Sequence, residues 1–294
     1  DRGTITTNSG IIIDADEFEF NKVKNILKAK GNIIIKDKIN NYDFKADDIL
    51  YDKNNEKIEI TGKSEAFIDQ NYEFKTDDIT ILRKEMIISS EKGAKILDTT
   101  NQTRYEIGKF SYSLNEKILK GEKIFINTNY NQPFSDKYFF DSAVLNLKNR
   151  NYIAKDININ LKKDIFGNKD NDPRFKGLSS SFENGITTIN KGIFTTCKKN
   201  DKCPPWSIQA DKVIYNKDKK QILYNNALVK VYDIPVFYFP KFFHPGPTVK
   251  RQSGFLVPYI NNSNILGSSI QIPYFYAPSI NKDFTFKPTI FDKG

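Results

Sequence analysis

One histidine, His244, and two cysteines, Cys197 and Cys203, are all that 294 residues offer of the side chains that most often ligate zinc. A structural zinc site takes four such ligands, so no metal is expected, and no cofactor either. General acid–base chemistry needs a positioned partner. His244 stands in His-Pro-Gly-Pro with no second histidine and no Ser-Asp pair beside it, so a turn or interface role is expected and no catalytic residue is assigned. The spacing Cys197-Lys-Lys-Asn-Asp-Lys-Cys203 is not a redox C-x-x-C motif; a small disulfide loop in an oxidising compartment is the simplest account. Arginine is scarce too, six of the 45 basic residues. The lysines are spread along the chain, which argues against a nucleic-acid footprint despite the net charge of +9. Lys, Asn, Ile, Phe and Tyr are all abundant, as AT-rich codons favour, and this accounts for the charge; attraction to phosphorylated lipid is the second reading. No apolar run approaches the roughly 18 residues of a membrane helix, and Ala-rich helical patterns are missing. The chain starts at Asp1 without Met or leader and ends just after a strand-like run, so a fragment of a longer protein is expected.

What is present is a repeat. A small-Asp-x-apolar phrase occurs as Ala15-Asp16-Glu17-Phe18, Ala46-Asp47-Asp48-Ile49, Thr76-Asp77-Asp78-Ile79 and Ala210-Asp211-Lys212-Val213. Glycines follow at 31, 62, 93 and 121, so they are spaced 31, 31 and 28 apart. A fixed period of this size marks a repeat architecture. Within each phrase the period is two, which places Ile49 and Tyr51, or Ile58 and Ile60, on one face of a strand. β-branched Ile in the strands and Asn or Lys in the turns agree. An all-β chain is predicted: paired short strands around a continuous apolar interior, in a sandwich or open jelly roll. The stretch 162–181 is the clearest loop interruption. Paired acids such as Asp47-Asp48 recur in register with the repeat, which points to solvent-facing structural positions and away from a glycosidase-type site.

From about residue 228 prolines and aromatics crowd in. Phe284, Phe286 and Ile290 alternate with Thr285, Lys287 and Thr289, and Ile270, Ile272 and Tyr274 with Ser269, Gln271 and Pro273. This suits an apolar-out, polar-in membrane strand, and equally a soluble sandwich edge. Pro240 and Pro258 each remove a ladder N–H.

The order P-V-F-Y-F-P (235–240), H-P-G-P-T-V-K-R-Q-S-G-F-L-V-P (244–258) and P-Y-F-Y-A-P (273–278) closely resembles the start of the barrel in the LptD (OstA/Imp) family of LPS-assembly proteins. The upstream repeat resembles that family's OstA-type β-jelly roll. The resemblance implies a periplasmic jelly roll over residues 1–227, followed by the first transmembrane strands of an outer-membrane β-barrel at 228–294. It implies an apolar groove for lipopolysaccharide acyl chains, with Ile33, Ile35, Ile49, Tyr51, Ile58, Ile60, Phe67, Ile79 and Ile81 as candidate lining; ordinary core is the competing reading of each. Ile11 to Ile13 would be a docking edge for a neighbouring jelly roll. Pro240 and Pro258 would weaken a seam that opens sideways, or else serve as strand-end or turn prolines. Cys197 or Cys203 would pair with cysteines beyond the barrel, as an alternative to pairing with each other. An LptE-like lipoprotein plug and an LptA-like periplasmic bridge protein are the implied partners. The rival readings are a wholly soluble periplasmic lipid-bridge protein and a β-solenoid enzyme or adhesin.

Overall fold

The computed structural model describes residues 2–6, 11–37, 42–68, 71–133, 135–163, 171–199, 205–216, 218–245, 253–256, 259–263, 267–279 and 281–292. The chain is all-β, with no α-helix among the described residues. Nineteen strands make one antiparallel sheet. Its first part comprises β1 (Gly3–Thr6), β2 (Ile11–Ala15), β3 (Glu17–Asn21), β4 (Ile26–Asp37), β5 (Tyr42–Asp52), β6 (Lys57–Ile68), β7 (Tyr72–Leu82), β8 (Ile87–Ser90) and β9 (Ala94–Asp98). It continues with β10 (Thr103–Ile107), β11 (Lys109–Ser113), β12 (Ile118–Thr128), β13 (Lys137–Asn146), β14 (Asn151–Asn160) and β15 (Arg174–Glu183). The last members are β16 (Ile186–Thr195), β17 (Trp206–Asn216), β18 (Gln221–Val231) and β19 (Ile234–Pro245). Successive strands pair as a meander. Near the start, β3 lies on the first half of β4 and β2 on its second half. In the same way β8 and β9 divide the length of β7 between them, and β11 and β10 that of β12.

The division reflects a corner that the sequence encodes. Midway along several long strands two consecutive polar residues face out between two inward ones, as in Ala46-Asp47-Asp48-Ile49, Ala154-Lys155-Asp156-Ile157 and Ala210-Asp211-Lys212-Val213. There the alternation changes phase, so the strand kinks and its halves become two arms. On several strands the inward residue before the kink is small and buried: Ala15, Ala46, Ala154 and Ala210 are all at most 5% exposed. The kink takes a left-handed φ on Asp78, Lys123, Asp156, Lys191 and Asn226, between 48° and 52°. At Gly93, φ +84°, a Cβ would stand 2.0 Å from the Ile107 carbonyl oxygen. Outside the corner the polar residues pair along the row: Asn32 Nδ2 donates to Asp16 Oδ2 at 2.7 Å, Lys123 bridges to Asp141, and Lys191 Nζ lies 2.6 Å from Asp211 Oδ1.

The period of about 31 is one hairpin of bent strands. At one end of the sheet the turns stack through backbone bonds: Lys53 N to Asn25 O (3.1 Å), Arg83 N to Glu56 O (2.9 Å), and Leu114 N to Met86 O and Leu147 N to Lys117 O (both 2.8 Å). Each accepting residue is left-handed, with φ from 51° to 58°.

Beyond β19 come β20 (Gly254–Phe255), β21 (Tyr259–Ser263), β22 (Gly267–Gln271), β23 (Tyr274–Ser279), β24 (Lys282–Phe286) and β25 (Thr289–Phe291). They form two three-stranded sheets, β20–β23–β24 and β21–β22–β25. The alternation expected through Ile270, Ile272 and Tyr274 is broken between β22 and β23 at Pro273, and that between Phe286 and Ile290 at Pro288. The carbonyls of these prolines accept from Leu256 N (2.8 Å) and Ile272 N (3.1 Å). Residue 228 lies inside β18, and the aromatic run Val236 to Phe239 is part of β19, paired along β18.

Candidate functional site

The phase change gives the sheet one apolar inner surface made of two arms. On one arm a register row runs from Ile5 through Ile13, Ile35, Phe44 and Phe74 to Phe194 and Phe237, and every position between is Ile, Phe, Tyr, Val or Ala. On the other arm the row from Leu27 through Tyr51, Ile58, Ile81 and Ile88 to His244 is apolar except at Thr187 and its histidine end. Burial is graded. The corner is closed, with Ile33 at 1% and Ile60 and Ile79 at 2% exposed, while Ile35, Ile49, Ile58 and Ile81 pack on them half-buried. Further along, the same rows close: Phe175, Phe194, Ile208 and Ile222 are buried. The shape is a trough with a dry floor and partly open walls, most closed along β15–β18, whereas Phe237 on β19 is again 50% exposed.

Of the candidate lining residues, Ile33, Ile35, Ile49, Ile58, Ile60, Ile79 and Ile81 gather in one cluster on this inner face. Tyr51 sits at the rim. Its hydroxyl donates to Glu56 Oε1 (2.9 Å) and accepts from Arg83 Nη1 (2.8 Å), whose guanidinium lies 5.6 Å from the ring centre. Partial burial, with the Glu56 bond, raises its phenol pKa. Phe67 stands apart: it pairs between Asp43 and Glu73 on the outer face and is 45% exposed, whereas its neighbour Ala66 faces inward. Pro240 lies opposite Asn226, at the corner, where the β18–β19 ladder lapses between Phe239 and Lys241. Pro258 and Cys203 lie outside the described residues. Cys197 is half-buried and unbridged, its Sγ 3.6 Å from the Trp206 carbonyl oxygen; Arg174 Nη1 donates to the Cys197 carbonyl oxygen.

Residues the alternation alone did not single out close the far end. His244 belongs to β19's inner face; its Nε2 lies 2.9 Å from the Tyr224 hydroxyl, and its ring packs on Tyr224, Phe194 and Phe242. Burial raises the Tyr224 phenol far above its ordinary range. On the open wall, burial pushes the Tyr105 phenol up to about 12, with Asp98 adding to it. The polar pair at each phase change was the signal that would have located these inner positions.

The arrangement defines a class: a bent, open β-sheet of jelly-roll type that holds a long, largely apolar trough and leads into short aromatic strands. No family model matches the chain. It is similar to proteins named LPS-assembly protein LptD. That of Legionella pneumophila (strain Lens) is 33% identical over 116 residues, 40% of this chain and 14% of that protein. That of Ectopseudomonas mendocina (strain ymp) is 34% identical over 111 residues, 38% of this chain and 12% of its own length. That of Coxiella burnetii (strain RSA 493 / Nine Mile phase I) is 30% identical over 103 residues, 35% of this chain and 12% of that protein. The matched stretch therefore covers a small part of each relative.

Proposed function

We propose that the chain is part of an outer-membrane lipopolysaccharide-assembly protein and that its trough shelters lipid acyl chains. The observation that carries this reading is the inner register row, apolar from Ile5 to Phe237 while staying half-buried along its first strands. A contiguous apolar surface left partly open is what a ligand-binding groove presents. The similarity to proteins named for LPS assembly supplies the ligand class. In this reading residues 1–227 are the periplasmic receiving part and 228–294 open the barrel in the outer membrane of a Gram-negative bacterium. An LptA-like bridge protein docks at the β1–β2 edge by strand addition, and an LptE-like lipoprotein plugs the barrel. Lipid leaves through a seam weakened at Pro240 and Pro258, and the work is transport without covalent chemistry. The apolar tail strands, with Phe284, Phe286 and Ile290 more than half exposed, support the membrane part.

The test places a photo-crosslinking side chain at Ile35, Ile58 or Phe67 of the full-length protein in cells making lipopolysaccharide. Adducts at Ile35 and Ile58, with none at Phe67, are expected. Equal labelling at all positions, or none at the inner ones, removes the reading.

A further inference from the structure

The outer face of the sheet changes character along its length. One outer register row passes through Glu19, Lys28, Glu59 and Thr80 in the first strands, with Leu50 its single apolar member there. From β13 onward the same row holds Val144, Ile153, Ile214, Leu223 and Phe243, interrupted by hydroxyl residues on β15 and β16. These are not core residues: Val144 is 43%, Ile153 66% and Phe243 51% exposed. On the other arm an outer row changes in part, from Lys75, Lys95 and Glu106 to Phe125, Phe139, Ile193, Leu228 and Tyr238, with Asn158, Lys176 and Gln209 between them. The face of an antiparallel sheet turned to water is ordinarily polar, and a contiguous exposed apolar patch marks a contact surface.

The charge beside the patch identifies the contact. The next outer row toward the corner carries Lys155, Lys212 and Lys241, all exposed, and only Ser or Asn at the register positions between them. The acids beyond that row are at the corner, where Asp141 and Asp211 are bridged by Lys123 and Lys191 and Asp156 is exposed. A stripe of lysines alongside a stripe of large apolar side chains suits the boundary between phosphate headgroups and acyl chains. The patch also ends on β19, whose outward Tyr238 and Phe243 are exposed and which precedes strands bearing exposed Phe255, Tyr259 and Ile260. Amphipathic aromatic rings favour a membrane interface.

We propose that the outer face of β13–β19 lies against an anionic lipid surface, its lysine row over the phosphates and its apolar row at the acyl boundary. This surface is separate from the trough and stands whether or not the trough carries lipid. The test uses the full chain with Cys197→Ser and Cys203→Ser, and a polarity-sensitive fluorophore on Ile153→Cys or, in the same row of the first half, on Thr80→Cys. With vesicles of phosphatidylglycerol and phosphatidylethanolamine, emission shifts to the blue at 153 and stays water-like at 80. The triple change Lys155→Gln, Lys212→Gln and Lys241→Gln weakens vesicle binding by on the order of a hundredfold, from about a factor of five per lysine near an anionic surface. A water-like label at 153 on vesicle-bound protein overturns the proposal, as does an equal shift at both positions. A blue shift at 153 that grows with protein concentration without vesicles assigns the patch to a second copy instead, and overturns it too.

Discussion

At Gly93 two independent constraints meet. Its φ of +84° is strained for any residue with a Cβ, and that Cβ would stand 2.0 Å from the Ile107 carbonyl oxygen. Left-handed backbone alone costs roughly 1–2 kcal/mol, and the clash must also push β9 from β10, so Gly93→Ala should cost on the order of 3 kcal/mol. A denaturant midpoint within error of the parent would refute this. Tyr105 gives a pH prediction. Burial moves its phenol from 10.0 up to about 12, so the folded chain keeps a proton that the unfolded chain loses. Its contribution is complete below pH 10 and is lost as pH rises through about 12, up to about 2.7 kcal/mol at 1.36 kcal/mol per pK unit. Tyr105→Phe should flatten the loss of urea resistance across that window; an unchanged slope would show that burial of this hydroxyl does not control it. At this scale the sequence was partly legible. Period-two alternation placed Ile33, Ile58 and Ile79 on one face, but hydrophobicity alone suggested Phe67, where the inward position belongs to Ala66. His244 looked like a turn residue because its inner partners come from other strands, Tyr224 from the neighbouring β18 and Phe194 from β16.

Among the strands, the corner explains which prolines are tolerated. From β12 onward the left-handed corner residues fall on β12, β14, β16 and β18, at Lys123, Asp156, Lys191 and Asn226. The residues opposite them, Asp141, Leu178, Asp211 and Pro240, are absent from the left-handed set. Proline holds φ near −65°, so it fits on β19 and not on β18. Pro240→Ala should therefore change folding stability by less than about 1 kcal/mol, whereas Asn226→Pro, one strand away at φ 51°, should prevent formation of the β18–β19 pair. Thermal melts of the two variants decide the matter: equal losses would show that the corner has no such asymmetry. A seam role for Pro240 is a separate effect, seen as impaired lipopolysaccharide delivery in a variant that still folds. Element type was readable from the Ile-rich alternation and the Asn and Lys turns. The bend was written in the same letters, in Asp47-Asp48 and Asp77-Asp78, but two outward residues in a row show a kink only when the inward neighbours on the next strand are known.

Across the whole molecule, each strand touches little beyond its neighbours, which makes the sheet close to one-dimensional in its energetics. The buried residues fall into two clusters, one of Ala15, Ala29, Ile33, Ala46, Ile60 and Ile79, the other spread from Ala94 to Ala227, joined through half-buried Phe74 and Ile88. The period of about 31 announced this modular build, but where one cluster ends and the next begins depends on which large side chains bridge them, and that is a property of the register. Such a sheet should not lose its structure all at once. Ile60, 2% exposed, sits in the centre of the first cluster. Truncation of a buried isoleucine costs roughly 2–5 kcal/mol, and here the loss should stay local. In Ile60→Ala, amide exchange should accelerate in β4–β7 by about a factor of thirty or more, since 2 kcal/mol corresponds to that ratio. Amides of β14–β17 should keep their rates, because the corner residues Ala154, Val213 and Tyr224 that hold them belong to the other cluster. Uniform acceleration across all nineteen strands would mean that Phe74 and Ile88 couple the clusters into one cooperative unit, and the trough would then open and close as a whole. With exchange confined to β4–β7, the open, half-buried end of the trough can loosen while the closed end at His244 stays formed.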